Sequence, residues 1–220
     1  MKNNPYANAA RLPEGEAIAL GDVIPGDGKV LLEIGSGRGA FALAYAALHP
    51  EVRLLAFEIR RKHAAQLAER FASRKHVNAR CFANDAREAL KRLVPDASID
   101  AVAVHFPDPW WKKRHAKRLV VADELVEQLA RLVKPGGIVF VQTDVEDRAA
   151  EYLARFEAHS AFRNAAPGGS RFVDESPFAP ARSNREARAI ADGLPVYRVV
   201  MRRVDGDGVR LSELTPQPLA

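Results

Sequence analysis

The sequence predicts an α/β protein with a doubly wound, mostly parallel sheet and a late antiparallel strand. Three observations lead to this prediction. Short β-rich runs alternate with longer segments of helical periodicity, a glycine-rich turn follows the first run, and a late apolar run can add a strand in the opposite direction. The 220 residues, 47% of them hydrophobic, are enough to bury the core of one such domain.

The elements follow one another along the chain in the order that this fold requires. The predicted parallel strands are VLLEI (30–34), LLAFEI (54–59), NARCFA (78–83), DAVAVHF (100–106) and IVFVQT (138–143). Helical periodicity marks FALAYAALH, RKHAAQLAERFAS, AREALKRL and a segment centred on ADELVEQLARLVK. Pro135-Gly136-Gly137 is expected to stop a helix before the fifth strand, and PVYRVVMRR (195–203) to form the late strand.

The domain organisation is predicted to be simple. We expect a single domain over residues 1–204, beginning with an N-terminal segment (1–27), and a loosely ordered tail over 205–220. Residues 163–188 begin with a stretch rich in Gly, Pro, Ser and Arg, which indicates a long surface loop that contacts the substrate.

Composition narrows the function classes. The 33 Lys and Arg residues against 28 Asp and Glu give a mild net charge of +5, but the excess is locally concentrated, as expected for a polyanionic partner. Cys81 is the only cysteine, which excludes an intramolecular disulfide and a thiolate metal cluster within one chain. No apolar run approaches the length of a membrane span, so we expect a cytoplasmic protein. We also expect no metal ion.

The turn Gly35-Ser36-Gly37-Arg38-Gly39 follows the first strand and precedes a helix. Glycines there permit a tight turn and a close approach of a ligand to the backbone, so Gly35, Gly37 and Gly39 are candidate cofactor-binding residues. With Ala40 the turn satisfies the G-x-G-x-x-A form of the dinucleotide fingerprint, and Glu58 stands near the ribose-binding distance. A nicotinamide-dependent oxidoreductase is therefore one possible interpretation.

Glu33 favours a different cofactor. Its carboxylate stands inside an apolar strand, where it would repel a pyrophosphate but attract an ammonium or sulfonium group. S-adenosylmethionine carries both groups, and it also has a ribose for Glu58 and an adenine for Asp85 at the end of the third strand. Parallel strands bring their carboxyl ends to one edge of a sheet, so these three acids are predicted to meet there. Asp85 could instead simply cap the following helix.

The fourth strand leads into His105-Phe106-Pro107-Asp108-Pro109-Trp110-Trp111. Prolines on both sides restrict the backbone around Asp108, so the acid is presented on a stiff extended turn, as an active site requires. The two tryptophans offer flat surfaces on which a base could stack. The residues that follow are predicted to bind RNA phosphates, namely Lys113, Arg114, His115, Lys117 and Arg118, although a solvated basic helix face is the alternative.

These motifs resemble those of the tRNA (guanine-N7)-methyltransferases. The resemblance is carried by LLEIGSGRGAF, AFEI, NDA, HFPDPWWKKRHAKR, QTDVEDRA and PARSNREARAIADGLPVYRVVMRR, and it spans roughly residues 28–203. It implies a Rossmann-like class I methyltransferase fold, S-adenosylmethionine as cosubstrate, and tRNA as partner, methylated at N7 of the variable-loop guanine, nucleotide 46.

The resemblance also implies roles for individual residues. Those that contact the methyl donor or its neighbourhood are Glu33, Glu58, Asp85 and Asp108, and Asp108 is also the catalytic acid. Those that hold the guanosine are Lys112, Asp144, Ser183, Asn184, Arg185 and Glu186. Two positions depart from the family pattern. Ser183-Asn184-Arg185-Glu186 lacks the aromatic residue of the usual Thr-basic-aromatic-Glu segment, and Trp111 replaces a frequent proline.

Two further interpretations stay open. An amino-methyltransferase acting on an exocyclic amine or an amide uses a similar Asp/Asn-Pro-Pro-aromatic loop, but here Asp108 separates the two prolines. A non-catalytic RNA-binding protein could retain the same fold. It would bind tRNA without transferring a methyl group.

Overall fold

A computed structural model of the chain describes residues 6–7, 9–108 and 119–205. Its centre is a seven-stranded sheet. In chain order the strands are β2 (Val30–Ile34), β3 (Arg53–Phe57), β4 (Ala79–Phe82), β6 (Ile99–His105), β7 (Val133–Thr143), β8 (Phe162–Asn164) and β9 (Tyr197–Arg203). Two further strands, β1 (Ile18–Ala19) and β5 (Leu93–Val94), form a separate two-stranded parallel sheet.

The strand order in the large sheet is β4-β3-β2-β6-β7-β9-β8. The first five strands of this order are parallel, whereas β9 runs antiparallel to both of its neighbours, β7 and β8. The chain reverses its direction of winding at β2, so the carboxyl ends of β2 and β6 flank the switch point at which such folds bind ligands. The predicted doubly wound sheet with a late antiparallel strand is confirmed.

Helices cover both faces of the sheet. They are α1 (Leu20–Val23), α2 (Ala40–Leu48), α3 (Arg61–Ser73), α4 (Ala86–Arg92), α5 (Asp123–Leu132), α6 (Glu146–Glu157) and α7 (Asn184–Ala191). One hydrophobic core joins α1, α4, α5 and α6 to the sheet, and the other joins α2, α3 and Phe178 to it. Among the residues described, no helix combines the length and the apolar character needed to cross a membrane.

Several strand ends differ from the predicted boundaries by one or two residues, and two differences are larger. Helix α5 ends at Leu132, and Pro135-Gly136-Gly137 lies inside β7 rather than before it. Gly136 has a φ of 81°, and a Cβ at Gly137 would approach the Asp100 carbonyl oxygen to 2.8 Å, so glycines permit an irregular strand here. In the predicted loop 163–188, the last residues already belong to α7 and Phe178 is fully buried.

Candidate active site

The glycine turn is shaped by main-chain hydrogen bonds. The N–H groups of Gly35 and Ser36 both donate to the carbonyl oxygen of Phe57, at 2.8 and 3.2 Å. Gly35, Gly37 and Gly39 have φ angles of 76°, 55° and 74°, in the left-handed region that favours glycine. A Cβ at Gly39 would lie 2.4 Å from the side chain of Leu67 on α3, so this position also requires the smallest residue.

Glu58 follows β3 and clamps this turn. One carboxylate oxygen accepts a hydrogen bond from the N–H of Gly37 at 2.7 Å, and the other accepts one from the N–H of Arg60 at 2.8 Å. The residue is only 6% exposed. Its carboxylate is therefore fixed in the ligand-free protein, and its remaining lone pairs can still accept hydrogen bonds from hydroxyl groups.

Glu33 lies in the middle of the sheet, paired with Ala56 of β3 and Ala103 of β6. It is 1% exposed, and its Oε2 atom accepts no hydrogen bond from the residues that the structure describes. Burial, and to a smaller extent the charge of Glu58, raises the pKa of Glu33 to about 8. A buried carboxylate without a partner is costly, and a cationic ligand group would relieve that cost.

Two neighbouring cavities open at the carboxyl ends of the strands. The central cavity, of about 420 Å³, has a polar lining that includes Glu33, Gly35, Gly37, Gly39, Glu58, His63, His105, Asp108, Ser183, Asn184 and Arg185. The side cavity, of about 370 Å³, is lined by Asp85 and shares Glu58 and Asp108 with the central cavity. The structure thus brings the four predicted donor-site acids to one region, with Asp85 on the far side of Glu58.

Asp85 also caps helix α4. Its Oδ1 accepts a hydrogen bond from the N–H of Arg87 at 3.0 Å, and the Arg87 guanidinium donates to both carboxylate oxygens, at 3.1 and 2.6 Å. These hydrogen bonds hold the pKa of Asp85 below its usual range. The capping interpretation of Asp85 is therefore correct, and the same residue still lines the side cavity.

Side chains at the start of α7 line the other wall of the central cavity, and Asp144 lines an adjoining cavity that shares Arg185 with it. Arg185, near the start of α7, pairs with Asp144 after β7 at 2.8 Å, and its guanidinium carbon lies 5.5 Å from the ring centre of Phe106. Ser183 accepts a hydrogen bond from the N–H of Glu186 at 3.2 Å and caps α7. Asp108 is exposed and is the last residue described before the gap at 109–118.

Glu186 is placed differently from the other members of its segment. It is 1% exposed, does not line either cavity, and bonds with both oxygens to protein groups, Gln142 and Arg198. Its predicted contact with guanosine stays a prediction. The sequence analysis did not identify His105 or Gln142 as site residues. The signal available for each was a polar residue that follows an apolar run within its strand.

The basic run that is predicted to bind RNA phosphates lies outside the described residues. It comprises Lys113, Arg114, His115, Lys117 and Arg118, and the predicted guanosine-binding residue Lys112 and both tryptophans lie in the same gap. Their roles stay predictions.

Solved methyltransferases share this fold. The 16S rRNA methyltransferase KamB matches with a TM-score of 0.58 and 16% identity, over 80% of this chain and 88% of that one. A 16S rRNA (adenine(1408)-N(1))-methyltransferase from Catenulisporales acidiphilia, solved with its cosubstrate SAM, matches with a TM-score of 0.54 and 17% identity, over 83% and 88% of the two chains. At this identity the likeness concerns the fold alone.

Sequence relatives are more specific. The family model Methyltransf_4, described as "Putative methyltransferase", matches residues 27–199. The tRNA (guanine-N(7)-)-methyltransferase of Myxococcus xanthus is 42% identical over 78% of this chain and 82% of its own length. The enzyme of the same name from Trichormus variabilis is 37% identical over 79% of this chain and 80% of its own length. The chain therefore belongs to the tRNA (guanine-N7)-methyltransferase family.

Proposed function

We propose that this protein transfers the methyl group of S-adenosylmethionine to N7 of guanine 46 in the variable loop of tRNA. The observation that carries the proposal is Glu33, a buried carboxylate without a full set of partners, which lines one cavity together with the glycine turn and Asp108. A nicotinamide dinucleotide would bring phosphates toward this carboxylate and Glu58. The names of the curated relatives support tRNA as substrate and guanine N7 as the position.

The residues present fit the cosubstrate, which supplies a methyl group on an electrophilic sulfonium. The central cavity has a volume typical of small-molecule sites. In it, Glu33 would bind the ammonium group and Glu58 the ribose hydroxyls, and the glycine turn would allow close approach of the backbone. Asp85 in the side cavity would accept a hydrogen bond from the adenine. The exposed side chain of Ile59, shared by both cavities, adds apolar surface between these two sites.

Guanine N7 needs little chemical activation. It has a lone pair in the ring plane and carries no proton, so no general base has to act on it, and the protein's task is mainly to align the two reactants. As the methyl group arrives, positive charge spreads into the purine and its N–H groups become stronger donors. The Asp108 carboxylate, which lines both cavities, would stabilise that charge more in the transition state than in the ground state.

The wall formed by Asp144, Ser183, Asn184 and Arg185 would then hold the guanosine. Trp110 and Trp111 would supply stacking surface, and the basic run after them would bind the flanking phosphates. Phosphate contacts position an RNA without reading its sequence, so we assign the choice of guanine to the cavity wall and the affinity for tRNA to the basic run.

The test is a methyl-transfer assay with labelled cosubstrate and unmodified tRNA, followed by nucleoside analysis. We expect 7-methylguanosine, and we expect none from a matched tRNA that carries adenosine at nucleotide 46. Label on an exocyclic amine would instead identify an amino-methyltransferase. Binding of tRNA and S-adenosylhomocysteine without any transfer would contradict the proposed activity and favour a non-catalytic RNA-binding protein.

A thermal-shift comparison separates the cofactor classes. A true ligand stabilises the folded protein in proportion to its affinity. S-adenosylhomocysteine should raise the melting temperature and NADH should not. The reverse result would restore the oxidoreductase interpretation.

A further inference from the structure

A chain of four buried side chains connects the start of α7 to the central cavity. Glu186 accepts a hydrogen bond from Nε2 of Gln142 at 3.0 Å, and the same Nε2 atom lies 2.7 Å from Nδ1 of His105. On the other side of the imidazole ring, Nε2 of His105 lies 4.0 Å from Oε1 of Glu33. Each of the four residues is at most 9% exposed.

The chemistry of these groups determines the position of the histidine proton. Arg198 pairs with the other oxygen of Glu186 at 3.1 Å, and a carboxylate can only accept hydrogen bonds. Gln142 must therefore turn its amide nitrogen toward Glu186, and this nitrogen has a second N–H for His105. Because an amide nitrogen only donates, Nδ1 of His105 must accept, and the proton of the neutral ring is on Nε2.

The Nε2–H group of His105 is thus a fixed donor that has no partner within the described part of the chain. Its ring packs against Phe41 and Phe140, with centroids 4.3 and 5.9 Å away, so it has little freedom to turn. Both this nitrogen and Oε2 of Glu33 lack hydrogen bonds. A shift of about 1 Å would close the gap to a normal hydrogen bond between the ring and the Glu33 carboxylate.

We propose that Glu186 and Gln142 fix His105 as a positioning residue, which orients the Glu33 carboxylate toward the ammonium group of the cosubstrate. The proposal rests on the proposed function for the identity of that ligand. It adds a role for Glu186 to the one that the family resemblance implies. Both of its oxygens bind protein groups and the residue does not line the two cavities, so its route to the donor site is through Gln142.

The first test measures the tautomer directly. Nitrogen-15 NMR of His105 in the parent protein should show a protonated Nε2 and an unprotonated Nδ1. In Gln142→Met, which keeps the side-chain length but removes the amide donor, this preference should weaken. A protonated Nδ1 in the parent protein would overturn the proposal, and this measurement needs no variant that folds.

The second test compares two ligands by calorimetry. S-adenosylhomocysteine carries the ammonium group, whereas 5′-methylthioadenosine has the same nucleoside without it. His105→Phe keeps the packing of the ring and removes the donor. We expect its affinity for S-adenosylhomocysteine to fall about tenfold, as for one hydrogen bond to a charged group, and its affinity for methylthioadenosine to fall by less than about twofold. Gln142→Met should show a smaller effect with the same selectivity.

A matched control distinguishes positioning from packing. Phe178 packs on Phe41 and Phe140, the two rings that flank His105, but takes no part in the hydrogen-bonded chain. Phe178→Leu should change the affinity for both ligands alike. An equal decrease for both ligands in His105→Phe, or no decrease, would refute the positioning role. If the parent binds neither ligand, the failure is that of the proposed cosubstrate.

Discussion

The two halves of the proposed active site are built by different means. The donor half, formed by Glu33, the glycine turn, Glu58 and Asp85, is held by main-chain hydrogen bonds and by burial in the sheet. The substrate half, formed by Phe106, Asp108, Asp144 and the start of α7, is held by side-chain contacts at the surface. The side chain of Arg185 is 56% exposed where it pairs with Asp144.

The difference indicates how each half meets its ligand. The Glu58 carboxylate is buried and bonded to two main-chain N–H groups, so we expect the donor half to be formed before the cosubstrate arrives. An exposed ion pair contributes only about 0 to 1 kcal/mol, so RNA groups can compete for Arg185 and Asp144 at little cost. We therefore expect substitutions in the donor half to change cosubstrate affinity, and those in the substrate half to change turnover or RNA binding.

The largest effect is expected for Asp108→Asn. This nearly isosteric change removes the charge that would stabilise the methylated purine, and turnover should fall about 100- to 1,000-fold while cosubstrate affinity changes little. Single-turnover kinetics with saturating tRNA measures this. Asp192→Asn, which removes an exposed charge from the end of α7, is the control. Full turnover in Asp108→Asn would exclude an electrostatic role.

Glu58→Ala should come next. It removes the acceptor for the ribose and leaves the N–H groups of Gly37 and Arg60 without their partner. Calorimetry with S-adenosylhomocysteine should show about 10- to 100-fold weaker binding, while tRNA affinity stays the same. Glu51→Ala serves as the control, because this exposed acid pairs with His49 near the end of α2, away from both cavities. Unchanged affinity in Glu58→Ala would remove Glu58 from the donor site.

The basic run tests whether the substrate half extends beyond the described residues. In the triple variant Lys113→Ala, Arg114→Ala and Lys117→Ala, the slope of log affinity against log salt should fall by about 0.7 to 0.9 for each phosphate that the variant no longer neutralises. Cosubstrate affinity and the methylated atom should stay the same. Filter binding at several salt concentrations measures this slope. If the variant keeps the salt dependence of the parent protein, we would instead assign the phosphate contacts to the arginines of residues 163–188.

The smallest effect concerns the stability of the ligand-free donor half. Glu33 has a pKa of about 8 in the folded protein against 4.5 ordinarily, so the folded state holds a proton that the unfolded state loses between these values. Stability therefore falls as the pH rises through this window. Glu33→Gln should raise the melting temperature. Its advantage over the parent protein should grow from pH 4.5 to about 8 and then level off. The difference should reach several degrees, because in a protein of this size each kcal/mol of stability shifts the melting temperature by about 2 to 4 °C.

Three ionisable neighbours of Glu33 could also affect this pH dependence. Glu58 contributes to the raised pKa, burial lowers the pKa of His105 to about 3, and burial raises the pKa of Cys81 to about 12. The last two groups stay neutral across the window in the folded protein. His105 gains a proton on unfolding below its ordinary pKa of 6.5, which makes stability rise with pH there, but this contribution is shared by the parent and Glu33→Gln and cancels in their difference. Calorimetric melting from about pH 5 to about pH 9 is the measurement, and an advantage that does not change with pH would show that the Glu33 carboxyl group is not buried in its neutral form.

The donor half was also the part that the sequence predicted best. Strand β2 and helix α3 coincide with their predicted ranges, 30–34 and 61–73, because an apolar strand and an amphipathic helix have clear periodic patterns. The three acids could be located because each stands in or just after a strand of the same sheet.

Other elements have no such local signal. The pairing of β1 with β5 joins two-residue strands far apart in the chain, which no periodicity can reveal. Helix α7 begins inside a Gly- and Pro-rich stretch, and its place is fixed by the Ser183 cap and by the burial of Glu186. The side chain of Glu186 is held by Gln142 of β7 and Arg198 of β9. Only the tertiary structure shows that they meet.

The order of the strands in the sheet has a consequence for biosynthesis. Strand β9 is made after β7 and β8 but lies between them, and its Arg198 completes the pairing of Glu186. A ribosome-bound chain that stops before residue 197 therefore has an open edge on β7, of the kind that pairs with other chains. Synthesis of β9 is therefore the step that closes this edge and gives Glu186 its Arg198 partner.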